Sequence, residues 1–109
     1  MSALQITQDG AVLTLTLSRP DIRNAFNDTV IAEITAAFQD AASRAEVRAV
    51  VLAAVGPAFC AGADLNWMRR MADYTRDENL LDAAALAEML RVMYECPKPT
   101  IARIQGDVY

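Results

Sequence analysis

At 109 residues the chain is one domain or part of one, and its formal charge of −4, with one lysine and nine scattered arginines, argues against a nucleic-acid footprint. It contains no histidine, which removes Ser-His-Asp and Cys-His catalysis and the two-histidine zinc helix. The two cysteines, Cys60 and Cys96, are too few and too far apart for a zinc knuckle or disulfide scaffold, so no metal site is expected and both read as small buried residues of a reducing compartment.

The chain opens on a hairpin, with Leu4 to Gln8 and Ala11 to Ser18 flanking the turn signal Asp9-Gly10. In its second strand Val12, Leu13, Leu15 and Leu17 are apolar against polar Thr14, Thr16 and Ser18, so one face is core and the other partly wet. Arg19-Pro20-Asp21 ends that strand, and Ile22 to Phe26 form a loop. A helix starts at Asn27 or Asp28, either a good N-cap, and its apolar stripe is Val30, Ile31, Ile34, Ala37, Phe38 and Ala41. It frays around Arg44 to Glu46, and Glu33 reads as part of its solvated face. Ala49 to Ala54 is short, apolar and β-branched, as a strand buried on both faces should be.

Gly56-Pro57 breaks the strand, and Phe59-Cys60-Ala61-Gly62-Ala63-Asp64-Leu65 follows as a small-residue loop before a short helix from about Asp64 to Met71. Leu65, Met68 and Met71 or Ala72 recur there at helical spacing. A backbone N–H freed at such a helix start can stabilise an oxyanion without any side chain. A longer helix, roughly Glu78 to Glu95, carries Leu81, Ala85, Met89, Val92 and Met93 on its core side and stops at Cys96-Pro97-Lys98-Pro99. A last strand, Thr100 to Gln105, reaches Gly106. The order suggests repeated ββα units and an α/β class. With no charged, apolar leader at the N-terminus and no long apolar run, a soluble cytoplasmic protein, or a compartment protein whose presequence is absent, is expected, without a membrane partner. A hydrophobic fraction of 54% exceeds that of an ordinary domain and suggests an apolar surface meant for a partner subunit or for further chain.

Five blocks carry a resemblance. They are Arg19-Pro20 with Asn24-Ala25-Phe26; Val50-Val51-Leu52; Phe59 to Leu65; Lys98-Pro99-Thr100-Ile101-Ala102; and Ile104-Gln105-Gly106. In order and spacing they resemble the enoyl-CoA hydratase/isomerase (crotonase) family, and they span essentially the whole chain. Gly62 to Met68 looks more particularly like the methylglutaconyl-CoA, glutaconyl-type hydratase branch. The resemblance implies a ClpP/crotonase-type superhelix of ββα units, with residues 1–109 as the incomplete N-terminal half of a single domain, assembled into trimers or pairs of trimers. It implies an acyl-CoA thioester as substrate, coenzyme A arriving as part of that substrate and no prosthetic group.

Carried onto this sequence, the resemblance makes the Ala63 N–H one donor of a two-amide oxyanion hole, with Gly62 allowing close approach to the backbone. Ala61 would offer its carbonyl to the CoA adenine and Ala25 would line the same cleft. Asp64 and Leu65 complete the cofactor-binding candidates together with Arg23, which could meet a CoA phosphate. Asp64 also reads as a helix N-cap, more simply than as a general base. Arg23, Arg69 and Arg70 remain open between solvated surface and CoA contact, and Trp67 and Met68 between acyl pocket, core and subunit contact. Hydration needs a positioned carboxyl group, and no glutamate present matches a catalytic position. The 109 residues alone are therefore expected to be inactive. Hydration of an enoyl-CoA, another crotonase reaction such as isomerisation, and a non-catalytic fragment that only binds or assembles all stay open.

Overall fold

In the computed structural model, which describes residues 3–109, β1 (Leu4–Asp9) and β2 (Val12–Leu17) pair antiparallel. Asp9 faces Val12 across the turn, so the turn residues are Gly10-Ala11, one position later than the sequence signal. Leu13, Leu15 and Leu17 are buried, while Val12 points outward. Helix α1 (Asp28–Ser43) follows, capped by the Asn27 side chain, which accepts from the Val30 N–H at 2.9 Å. All six residues of its expected stripe are buried. Glu33 is half-buried in a groove with Leu4, Ile6 and Ala37 rather than on a solvated face.

Through α1 the chain crosses over to β3 (Ala49–Ala54), parallel to β2. Val50 and Leu52 bury one face of β3; on the other Ala53 is buried, while Ala49 and Val51 are half-buried. Phe59 and Cys60 do not lie in a loop: Ala58–Cys60 forms a fully buried strand, β4. Helices α2 (Leu65–Met71) and α3 (Arg76–Tyr94) come next, then β5 (Thr100–Ala102), parallel to β3, and β6 (Asp107–Val108), parallel to β4. The main sheet has the order β1-β2-β3-β5, and β4 with β6 forms a second small one. β6 approaches β4 so closely that a Cβ on Gly106 would lie 2.3 Å from the Pro57 carbonyl oxygen, so only glycine fits there. The connectivity is thus β1-β2-α1, then β3-β4-α2-α3, then β5-β6.

Both later helices turn differently from their apolar spacing. In α2, Leu65 and Met68 are exposed and Trp67 is the buried anchor, its indole N–H donating to Asp82 Oδ2 at 2.9 Å. Helix α3 starts two residues early because Thr75 and Glu78 form a reciprocal capping box. It carries apolar residues on more than one face, so periodicity alone cannot choose its core side. Packing on α1 and the Trp67–Asp82 bond turn Leu86, Met89, Val92 and Met93 inward. Leu81 and Ala85, expected inside, are exposed, as are Leu80, Leu90 and Tyr94. Ile101, Ile104, Val108 and Tyr109 add further exposed apolar surface. Cys60 and Cys96 are free thiols, the first buried and the second half-buried.

After α3, Lys98 sends its ammonium group to the end of α1. It donates to the carbonyls of Ala41, Arg44 and Val47 at 3.0, 2.7 and 2.6 Å. A cation at a helix C-terminus meets both the unpaired carbonyls and the negative end of the dipole.

Candidate functional site

The site is built on two segments that run side by side, 23–26 after β2 and 60–64 after β4. A 3₁₀ turn over Pro20–Ile22 ends in two left-handed residues, Arg23 (φ 55°) and Asn24 (φ 58°). Asparagine tolerates that conformation better than most residues. The Asn24 side chain, 2% exposed, accepts from the Arg19 N–H at 2.8 Å and donates to the carbonyls of Val55 and Ala58 at 2.9 and 3.0 Å. It clamps the first segment to the β3–β4 turn. No role for Asn24 was legible in the sequence beyond its place in a family-like block; its only local signal is an asparagine in a loop.

Loss of that clamp should be measurable. Asn24→Ala is expected to cost about 3 kcal/mol, from three broken hydrogen bonds and an alanine forced into the left-handed region. Asn24→Gly, which restores only the backbone freedom, is expected to recover about 1 kcal/mol of that loss in urea unfolding.

The second segment docks on the first by backbone alone. Ala61 N–H donates to the Arg23 carbonyl at 3.0 Å, Phe26 N–H to the Gly62 carbonyl at 2.7 Å, and Asp64 N–H to the Phe26 carbonyl at 2.7 Å. The last two bonds make a parallel bridge between Phe26 and Ala63. In such a bridge the flanking residues bond, and the central residue turns its own N–H and C=O the other way. The Ala63 N–H therefore points away from Phe26 and has no protein acceptor among the described residues. Gly62 sits at φ 90°, which a side chain would strain. A Cβ on it would be 3.8 Å from the Tyr109 carbonyl oxygen, an ordinary contact, so within the chain it is the φ angle that demands glycine.

The dipole argument also changes. Helix α2 begins at Leu65, so Ala63 lies before its cap and outside its first turn. The cap is Asp64, 7% exposed, whose Oδ1 accepts from Asn66 N–H at 2.7 Å and Trp67 N–H at 3.2 Å. Its Oδ2 lies 3.7 Å from Arg19 Nη2. That carboxylate takes up two of the free N–H groups of α2 and adds a negative charge. Ala63 is left unpaired by the bridge, not by the helix start.

Ala63 opens onto a cleft of about 530 Å³ that Ala25, Ala61, Arg23, Asp64 and Leu65 also line. Of the positions singled out in the sequence, Gly62 and Arg70 stand apart from this lining; Arg70 pairs with Asp28 at 3.2 Å. Trp67 belongs to the core, and Met68 is exposed outside the cleft. Asp21, Ile22, Asn66 and Arg69 join the lining. Leu65 and Arg23 are exposed at its mouth. The Ala61 carbonyl, like the Ala63 N–H, has no protein partner among the described residues. The carboxylates with displaced titration lie elsewhere. Glu46 and Glu88 are each held below the usual carboxylate range by hydrogen bonds from Arg44 and Arg91, and neither lines the cleft. Among the described residues no cluster of cysteine, aspartate and glutamate could hold a metal, and no helix is long and apolar enough to cross a membrane. Chemically, the cleft offers the unpaired Ala63 N–H to an acyl oxygen, the unpaired Ala61 carbonyl as an acceptor, and arginines at its rim.

A sequence model of the enoyl-CoA hydratase/isomerase family matches residues 7–109. A probable enoyl-CoA hydratase of Mycobacterium tuberculosis is 41% identical over 101 residues, covering 93% of this chain and 38% of the relative. The trans-2-decenoyl acyl-carrier-protein isomerase of Streptococcus mutans is 33% identical over 101 residues, covering 92% of this chain and 38% of the relative. The chain thus spans about two fifths of the length of the curated relatives it matches. Among solved structures, an enoyl-CoA hydratase from Shewanella pealeana superposes with a TM-score of 0.93 at 38% identity, over 95% of this chain and 39% of that one. A candidate enoyl-CoA hydratase/isomerase (crotonase) from Legionella pneumophila gives 0.92 at 39% identity, over 97% and 41%.

Proposed function

The chain belongs to the enoyl-CoA hydratase/isomerase family, and we propose that its protein adds water across the double bond of an enoyl-CoA thioester, with the Ala63 N–H as one donor to the thioester oxygen. Its fold is the crotonase fold of ββα units. The observation that carries the reading is the unpaired Ala63 N–H at an open cleft. As water adds to the β-carbon, negative charge gathers on the carbonyl oxygen, and a fixed N–H there lowers the barrier by about 3 kcal/mol. The donor costs no reorganisation, because the Phe26 bridge holds it before substrate arrives.

The remaining residues divide the CoA moiety between them. The free Ala61 carbonyl suits the adenine amine, and Ala25, by being small, leaves the cleft open beside it. Arg23, with Arg69, suits the phosphates. Leu65 offers apolar contact at the mouth. Asp64, already bonded to two N–H groups and an arginine, supports the turn rather than the anionic cofactor. Of the two carboxylates that line the cleft, Asp21 is exposed in the 3₁₀ turn and Asp64 is held by its cap. The 109 residues by themselves are therefore read as binding the thioester without turning it over. The likeness of Gly62 to Met68 to the glutaconyl-type branch supports a branched, carboxylated substrate. Exposed apolar residues of α3 support assembly with further copies, as trimers or pairs of trimers, and the free cysteines suit the cytoplasm.

A second reading, double-bond isomerisation, has the Streptococcus mutans isomerase in its favour, since the same oxygen-stabilising donor serves both reactions. Incubating the intact protein with crotonyl-CoA and with 3-methylglutaconyl-CoA separates them by liquid chromatography, which resolves double-bond isomers, coupled to mass spectrometry. Hydration is expected, as the gain of one water on the carboxylated substrate in preference to crotonyl-CoA. A product of unchanged mass with a shifted double bond would replace hydratase by isomerase, and no product from either thioester would sink both.

A further inference from the structure

Arg19 opens one of the family-like blocks, yet neither the cleft nor the proposed chemistry uses it. Its backbone is tied on both sides: the N–H donates to Asn24 Oδ1 at 2.8 Å, and the carbonyl accepts from Asn24 N–H at 2.9 Å. From that fixed base the guanidinium reaches Asp64 Oδ2 at 3.7 Å, with side-chain exposures of 30% for Arg19 and 9% for Asp64. Among the described residues, Arg19 is the one cation in ion-pair contact with Asp64. It lines a neighbouring hollow with Ser18, Asn27 and Thr29, which meets the cleft at Asp21. Its guanidinium faces the Asp64 carboxylate.

Asp64 has to be near Ala63. Its N–H forms half of the Phe26 bridge that orients the Ala63 donor, and its carboxylate caps the helix that follows. That leaves a buried negative charge one residue away from the place where the thioester oxygen becomes negative. In a partly desolvated site the two charges repel far more strongly than in water. A cation on the far side of the carboxylate offsets that repulsion without touching the substrate. We propose that Arg19 is a positioning residue that works through Asp64, neutralising the carboxylate beside the oxyanion turn so that charge can build on an oxygen bound at Ala63. The inference rests on the reading of Ala63 as that oxygen's donor.

The test uses the intact protein and cinnamoyl-CoA, whose absorbance moves to the red when its carbonyl is polarised, together with kcat and KM on the enoyl-CoA it turns over. Arg19→Gln is expected to lower kcat about tenfold with KM within about twofold, and to shrink the red shift of the bound probe. In the Asp64→Asn background, adding Arg19→Gln is expected to change neither quantity further, because no charge remains to neutralise. An undiminished red shift in Arg19→Gln, or an equal loss in both backgrounds, overturns the proposal. Should Arg19→Gln not fold, Asp64→Asn with and without it decides: equal shifts support the proposal and a further loss overturns it. A full red shift retained by Ala63→Pro would overturn the Ala63 reading and this inference with it. A red shift lost in Ala63→Pro but undiminished in Arg19→Gln overturns the Arg19 inference alone.

Discussion

Ala63→Pro is expected to lower kcat for an enoyl-CoA by about 10²–10³ while leaving the protein folded, because proline removes the one group at issue. The substitution can be this selective because of the bridge. Phe26 bonds to the Gly62 carbonyl and the Asp64 N–H, so docking of the two segments never uses the Ala63 N–H. Ala63 is exposed, which gives the ring room, and the preceding glycine tolerates the restriction that proline imposes on its neighbour. An unchanged KM would place the loss in the transition state alone, whereas a raised KM with unchanged kcat would mean that the amide binds substrate uniformly. Activity equal to the parent, with folding verified by circular dichroism, would remove Ala63 from the mechanism.

Lys98→Met, remote from the cleft, should cost about 3 kcal/mol of stability in urea unfolding with an unchanged slope. Three carbonyls at and beyond the end of α1 share its ammonium group. Methionine keeps the length and apolar stem but leaves those acceptors without their charged donor. The lysine also joins two parts far apart in sequence, since Ala41 and Lys98 flank β3 and both later helices. Its loss should loosen the seating of β5 against β3, which amide exchange over Thr100–Ala102 would register. A loss below about 1 kcal/mol would mean that water replaces the ammonium group at no great cost.

Much of the fold was legible in local patterns. The hairpin, the stripe of α1 and the span of β3 follow from periodicity and caps, because each element there has one apolar face and one place to bury it. The core side of helix α3 is only partly legible, with Leu81 and Ala85 outside and Met89, Val92 and Met93 inside, for the opposite reason: with apolar residues around much of its circumference, only contact with α1 and the Trp67–Asp82 bond select a side. Strands β4 and β6 were invisible because strands of three and two residues carry no period, and each exists through pairing with the other. Cleft residues such as Ala25 and Ala61 carry no chemistry in their side chains. They could be picked out only through family-like blocks.

The sequence alone carries the family likeness, through its five blocks, and the hairpin, the stripe of α1, the span of β3 and the small-residue turn, through local pattern. The direction of one N–H was beyond its reach. A helix start does not account for the free N–H of Ala63, as Asp64 caps that helix itself. The donor is free because Phe26, distant in sequence, takes up the neighbours of Ala63 and turns its amide outward. Where a backbone hydrogen bond goes is decided by which strand comes alongside, and that is a property of the packed molecule.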